Sequence, residues 1–164
     1  MRKITLGFAA LAAVAATPAM AGTASNTMPV SVNIINSCTI SASPMAFGTL
    51  TAIGGANVDT TASVDLACTT GANYDVSMDF GVNPTAGQRY LVSTSNAANK
   101  IPYSIYTDAG RTAAWGNTSG TNTVAGTAGA TGVVSLTAYG RIPSSAGSMP
   151  AGAYIDTVTV TVNF

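Results

Sequence analysis

The chain contains no histidine and no glutamate, and only 7% of its 164 residues are charged. The first absence removes the commonest general base and the usual partner of a serine or cysteine nucleophile. A serine would have to depend on Lys100, the only lysine besides Lys3, and no short motif sets a serine beside it. Carboxylate chemistry is left to aspartate, and the closest pair, Asp75 and Asp79, is spaced at the strand period with Ser77 between them. That spacing places all three on one outward face, and a solvated face is the expected reading. Two cysteines without histidine make too few soft ligands for a metal site, and Gly54-Gly55 lacks the lysine and helix that follow in a phosphate-binding loop. No enzyme, metal or cofactor is expected.

Basic charge is equally thin. Beyond Arg2 and Lys3 there are Arg89, Lys100, Arg111 and Arg141 against six aspartates, so nothing here attracts nucleic acid or anionic lipid. Arg2 and Lys3 instead head an export signal: Ile4 to Ala16 form the apolar stretch and Ala19-Met20-Ala21 the cleavage site, so the mature chain is expected to begin at Gly22. The apolar run is short of the ~20 residues a spanning helix needs, Pro18 interrupts its end, and no later segment reads as a membrane span. Export carries Cys38 and Cys68 into an oxidising compartment, where a disulfide is the natural reading and two buried free thiols the alternative.

What the chain has in quantity is Val, Thr, Ala and Gly, in short alternating segments divided by turn residues. The pattern predicts strands over 28–36, 38–42, 58–68, 73–80, 88–93, 101–107, 133–142 and 154–164, and no amphipathic helix. Many short strands on one domain of this length indicate an all-β immunoglobulin-like sandwich, with a closed barrel as its structural competitor. Residues 108–132, rich in Gly, Thr, Ala and Asn, read as a long surface loop or hairpin excursion. Within it, Trp115 is either a packing residue or a platform for a sugar, and Asn117-Thr118-Ser119 matches a glycosylation pattern that arises often by chance. Arg141 is expected to pair with an aspartate or a loop carbonyl.

Both ends alternate. Val158, Val160, Val162 and Phe164 fall on one face of the last predicted strand, with Thr157, Thr159, Thr161 and Asn163 on the other. No residue follows to cover that strand's far side. Near the other end Met28, Val30, Val32 and Ile34 are interleaved with Pro29, Ser31 and Asn33. Pro29 cannot donate a ladder hydrogen bond, so the pattern is firmer from Val30 to Ile34 than at Met28.

Several separated pieces then agree with one another: Ser37-Cys38-Thr39, Phe47-Gly48, Leu66-Ala67-Cys68-Thr69 with Tyr74 and Val76, Ile101-Pro102-Tyr103-Ser104-Ile105-Tyr106, Trp115-Gly116, Tyr139-Gly140-Arg141, and Pro150-Ala151-Gly152-Ala153-Tyr154-Ile155-Asp156-Thr157-Val158. In this order they resemble the spore coat U domain family, which includes the major subunits of archaic chaperone-usher pili. The resemblance implies a sandwich that lacks its last strand and is completed by a donor strand from another chain. It further implies a periplasmic chaperone that fills the groove first, an outer-membrane usher, and a homopolymer of neighbouring subunits at the cell surface supporting adhesion and biofilm. On that reading residues 1–21 are the signal, 22–36 the donor extension and 37–164 the sandwich domain. Met28, Val30, Val32 and Ile34 are then the donor side chains, and Val158, Val160, Val162 and Phe164 the acceptor strand. The Phe164 carboxylate is where the chaperone's basic residues would anchor the chain end. The alternatives are a non-polymerising coat protein whose amino-terminal segment folds back, and a tip adhesin using Trp115 and the 108–132 loop to bind carbohydrate.

Overall fold

The computed structural model describes residues 20–164, so the expected export signal lies outside the described residues except for Met20 and Ala21. The chain divides into two units, 1–33 and 34–164, and every strand among the described residues belongs to the second. Residues 20–37 carry no strand, contrary to the expectation over 28–36. A strand exists only through a ladder. The alternation at 28–34 sets which side chains would share a face, but it supplies no partner.

The strands are β1 (Cys38–Ala42), β2 (Val58–Cys68), β3 (Asn73–Met78), β4 (Arg89–Ser93), β5 (Lys100–Tyr106), β6 (Val124–Thr127), β7 (Val133–Ile142), β8 (Tyr154–Ile155) and β9 (Val160–Asn163). All pairs are antiparallel. They form a six-stranded sheet in the order β1-β2-β7-β5-β4-β8 and a three-stranded sheet in the order β6-β3-β9. The only helical turn among the described residues is the 3-10 turn Ser144–Ala146.

Alternation explains how the sheets meet. Val64 and Leu66 on β2, Ile101, Tyr103 and Ile105 on β5, and Ala138 and Ile142 on β7 point inward, and Val76 and Met78 on β3 face them from the second sheet. The outward positions of β2 and β7 are polar, with Ser135 donating to Asp65 at 2.6 Å and Arg141 bidentate to Asp59 at 2.7 and 2.8 Å. The expected pairing of Arg141 with an aspartate is thus met. Cys38 stands directly opposite Cys68 in the β1–β2 ladder and is bonded to it.

Three expectations require correction. The segment 154–164 is not one strand: β8 pairs with β4 in the first sheet, and β9 pairs with β3 in the second. The alternation is regular from Thr157 to Phe164 and lapses only at Ile155 and Asp156, and periodicity alone does not reveal a change of partner. The 108–132 excursion is not all surface loop, since β6 within it forms the edge of the second sheet and Ala128 is buried. Asp75 and Asp79 do not share a solvated strand face. Asp75 is half-buried, accepting from the Ser119 hydroxyl, and Asp79 lies just past the end of β3 with its carboxylate turned onto backbone N–H groups.

Candidate functional site

β1 is the edge of the large sheet and β9 the edge of the small one, and the two lie next to each other. β9 is bonded to β3 along one side, with Val160 opposite Met78 and Val162 opposite Val76. Its other side has no ladder partner among the described residues. A row of backbone donors and acceptors therefore borders an opening into the core.

That opening is apolar. A cleft of about 310 Å³ enters between the sheets beside Val158 and Val160, with Met45, Phe47, Val64, Met78, Leu91 and Ile105 among its walls. Met45 and Phe47 come from the long connection between β1 and β2, and Phe47 meets Tyr103 edge-on with ring centroids 6.2 Å apart. A wider opening of about 710 Å³ continues from the same Met45, Phe47 and Leu91 toward Leu50, Met149 and Tyr154.

Asp156 and Tyr103 give the cleft a polar rim, and Asp79 and Arg89 brace the backbone behind it. Asp156 accepts from the Tyr103 hydroxyl at 2.7 Å through Oδ2, and through Oδ1 from the Val82 N–H and the Asn83 amide, each at 3.1 Å. Asp79 Oδ1 accepts from the N–H groups of Gly81 and Thr159, each at 2.9 Å. Arg89, only 4% exposed, donates to the carbonyls of Asp79, Met78 and Trp115 and lies 5.4 Å from the centre of the Phe80 ring. Burial opposes the charge of Asp79, yet its bonds from Gly81 and Thr159 and the nearby Arg89 hold its carboxyl below the usual range. Burial and then the Asp156 carboxylate push the Tyr103 hydroxyl well above its ordinary value, so it remains a proton donor.

The positions singled out in the sequence fall as follows. Val158, Val160 and Val162 are partly buried against the core, and Val158 and Val160 line the cleft. Phe164 is 58% exposed and lies just beyond β9. Met28, Val30, Val32 and Ile34 are 85%, 88%, 86% and 76% exposed, a display that soluble chains do not usually give to an apolar series of this kind. Trp115 is 1% exposed and donates its indole N–H to the Val76 carbonyl at 2.9 Å, so it is a packing residue and offers no face to a sugar. Asp156, Met45 and Phe47 were missed as parts of the opening, and Asp79 as the group that holds Thr159 behind it. Phe47 and Asp156 sit in the resembling motifs, but nothing in their spacing places them at one cleft.

Residues 24–161 match the Spore Coat Protein U domain. The chain belongs to that family. Among solved structures, it is similar to a chain in the CsuC–CsuE chaperone–tip adhesion subunit pre-assembly complex from archaic chaperone-usher Csu pili of Acinetobacter baumannii, at 26% identity and a TM-score of 0.56. The match covers 80% of this chain and 40% of that one. A second, looser likeness is to a chain in a chaperone–tip adhesin complex of CFA/I fimbriae biogenesis, at 15% identity and a TM-score of 0.42, covering 75% of this chain and 40% of that one. No curated protein sequence matches the chain. The spore coat U family and the two-sheet fold agree with the resemblance read from the motifs.

Proposed function

We propose that this spore coat U domain is a structural subunit of a chaperone-usher pilus that polymerises by donating its residues 22–36 to a neighbour's open groove. The observation that carries the reading is the unpaired edge of β9 beside an apolar cleft. Such an edge invites strand addition, in which backbone hydrogen bonds give binding and alternate side chains entering pockets give register. Met28, Val30, Val32 and Ile34 supply four apolar side chains at the required spacing. Burying them would contribute on the order of 6 to 12 kcal/mol before the cost of ordering the segment.

The entry to β1 favours a donor acting on another copy over one folding back. Thr69 donates its N–H to the Ser37 carbonyl at 2.8 Å and its hydroxyl to that of Ile35 at 3.2 Å. Residues 35–37 thus continue beside the end of β2, and a return into the chain's own groove would require a reversal before Ile35. A periplasmic chaperone would occupy the groove beforehand, because an exposed edge of this kind aggregates. An outer-membrane usher, a surface location, and adhesion or biofilm support complete the reading. Burial of Trp115 weighs against a carbohydrate-binding tip role through that residue.

Deletion of residues 22–36 in the producing cell tests the proposal. Loss of fibres in electron micrographs, with the exported domain still recovered bound to a chaperone, is the expected result. Fibres that persist would overturn the donor assignment, and a stable monomer exported with no chaperone present would favour the coat-protein alternative.

A further inference from the structure

Between β8 and β9 the chain leaves one sheet for the other, and over 156–159 it belongs to neither ladder. Two side chains take over the work of the missing ladder. Asp156 is tied to Val82, Asn83 and Tyr103 at the start of the crossing, and Thr159 is tied to Asp79 at its end, through its N–H to the carboxylate and through its carbonyl to the Asp79 N–H at 3.1 Å. The two residues between these anchors, Thr157 and Val158, line the 310 Å³ cleft.

We propose that Asp79 and Asp156 are positioning residues that hold the Thr157–Val158 wall of the cleft in place for one particular side chain of the incoming donor strand. This rests on the donor-strand reading of the groove. Each carboxylate is itself built in. Arg89 fixes the backbone of Asp79 by donating to its carbonyl at 2.6 and 2.8 Å. Gly81, at φ +77°, brings the 79–83 turn so close to Asp156 that a Cβ there would collide with the carboxylate. The turn and the crossing therefore approach each other at a position only glycine permits. Because interior packing tolerates little displacement, a wall moved by a fraction of an ångström changes the fit of the side chain seated against it. Side chains seated further along β9, against Val162, do not meet this wall.

The test follows release of a fluorescent peptide of residues 22–36 from the exported chain refolded around it. Four further peptides carry alanine in place of Met28, Val30, Val32 or Ile34. Asp79→Ala and Asp156→Ala are expected to speed release of the unaltered peptide about tenfold, by loss of a wall contact worth about 1.4 kcal/mol. The acceleration should vanish for one alanine peptide and persist for the other three. Asp79→Asn, which keeps the acceptor oxygen used by Gly81 and Thr159, should restore slow release, while the outward-facing control Asp65→Ala should leave it unchanged.

A general loss of folding would accelerate release of every peptide alike, and that result overturns the inference. So does unchanged release from both alanine variants. Should the alanine variants not refold, Tyr103→Phe removes one donor to Asp156, and the same single-peptide pattern at smaller amplitude is required of it; its absence is equally fatal. If the unaltered chain binds no peptide, the groove reading itself falls and this inference with it, whereas binding without the single-peptide pattern overturns this inference alone.

Discussion

Val162 on β9 stands opposite Val76 on β3, and Val76 is fully buried while Val162 is not. The difference lies on the side of β9 away from β3, where no strand among the described residues continues the sheet. On the donor-strand proposal this asymmetry marks where a donor would seat, and it leads to the first prediction. Val162→Lys should leave β3 and the large sheet folded but prevent a donor strand from seating. Fibre yield should fall by more than tenfold, while chaperone-free material, assayed by dye binding, shows at least as much exposed apolar surface as the unaltered chain.

Trp115 gives a different signature. Its ring is buried and its N–H is satisfied by the Val76 carbonyl, so Trp115→Ala should cost about 3 to 5 kcal/mol of folding stability. Urea denaturation of the chain measures this. Weakened surface binding with unchanged stability would instead mark Trp115 as a contact residue.

The Cys38–Cys68 bond closes a loop with a sequence separation of 30 and ties the groove-side edge strand to its neighbour. Replacing both cysteines with alanine should remove about 3 to 4 kcal/mol on the chain-entropy account. Because β1 has no second strand partner among the described residues, hydrogen exchange should rise first in residues 38–42 and only later in β7.

Acid should weaken the bonds of Asp79 and Asp59 before it weakens the apolar core. Asp79 and Asp59 both have carboxyls held below the ordinary value of 3.8: Asp79 against burial by Gly81 and Thr159, Asp59 by its bond from Arg141 and by the charge of Arg111. A depressed folded-state pKa contributes stability that is complete above the unfolded-state value and lost as pH falls through the folded one. The denaturation midpoint should stay level from neutrality to about pH 5 and decline below about pH 4. In Asp79→Asn the acid decline should be shallower than in the unaltered chain.

Gly81→Ala should be costly despite the small change. The residue sits at φ +77° and its Cβ would meet the Asp156 carboxylate, so a loss of about 1 to 3 kcal/mol is expected in denaturation. Gly87, at the same φ but with open space around it, separates backbone strain from collision, and Gly87→Ala should lose only the smaller part.

The long central strands were legible because they obey one rule along their whole length. β2 and β7 begin and end where alternation and turn residues place them, at 58–68 and 133–142. The disulfide was legible because only two cysteines exist and the expected export would bring both into an oxidising compartment. β6 was not, since Val124-Ala125-Gly126-Thr127 has one β-branched apolar residue and owes its place to the β3 edge beside it. The split of the terminal segment was hidden for the opposite reason: its alternation is unbroken from Thr157 to Phe164 and lapses only at Ile155 and Asp156, and the long-range bonds of Asp79 and Asp156 mark the crossing. The apolar edge was therefore readable from local pattern, and the rim that frames it was not.

The crossing also has a mechanical meaning. A pull along the last residues loads the β3–β9 ladder in shear, where its hydrogen bonds act side by side, and through 156–159 it reaches β8 and β4 in the other sheet. Tension entering through β9 thus has a covalent path to both layers of the sandwich.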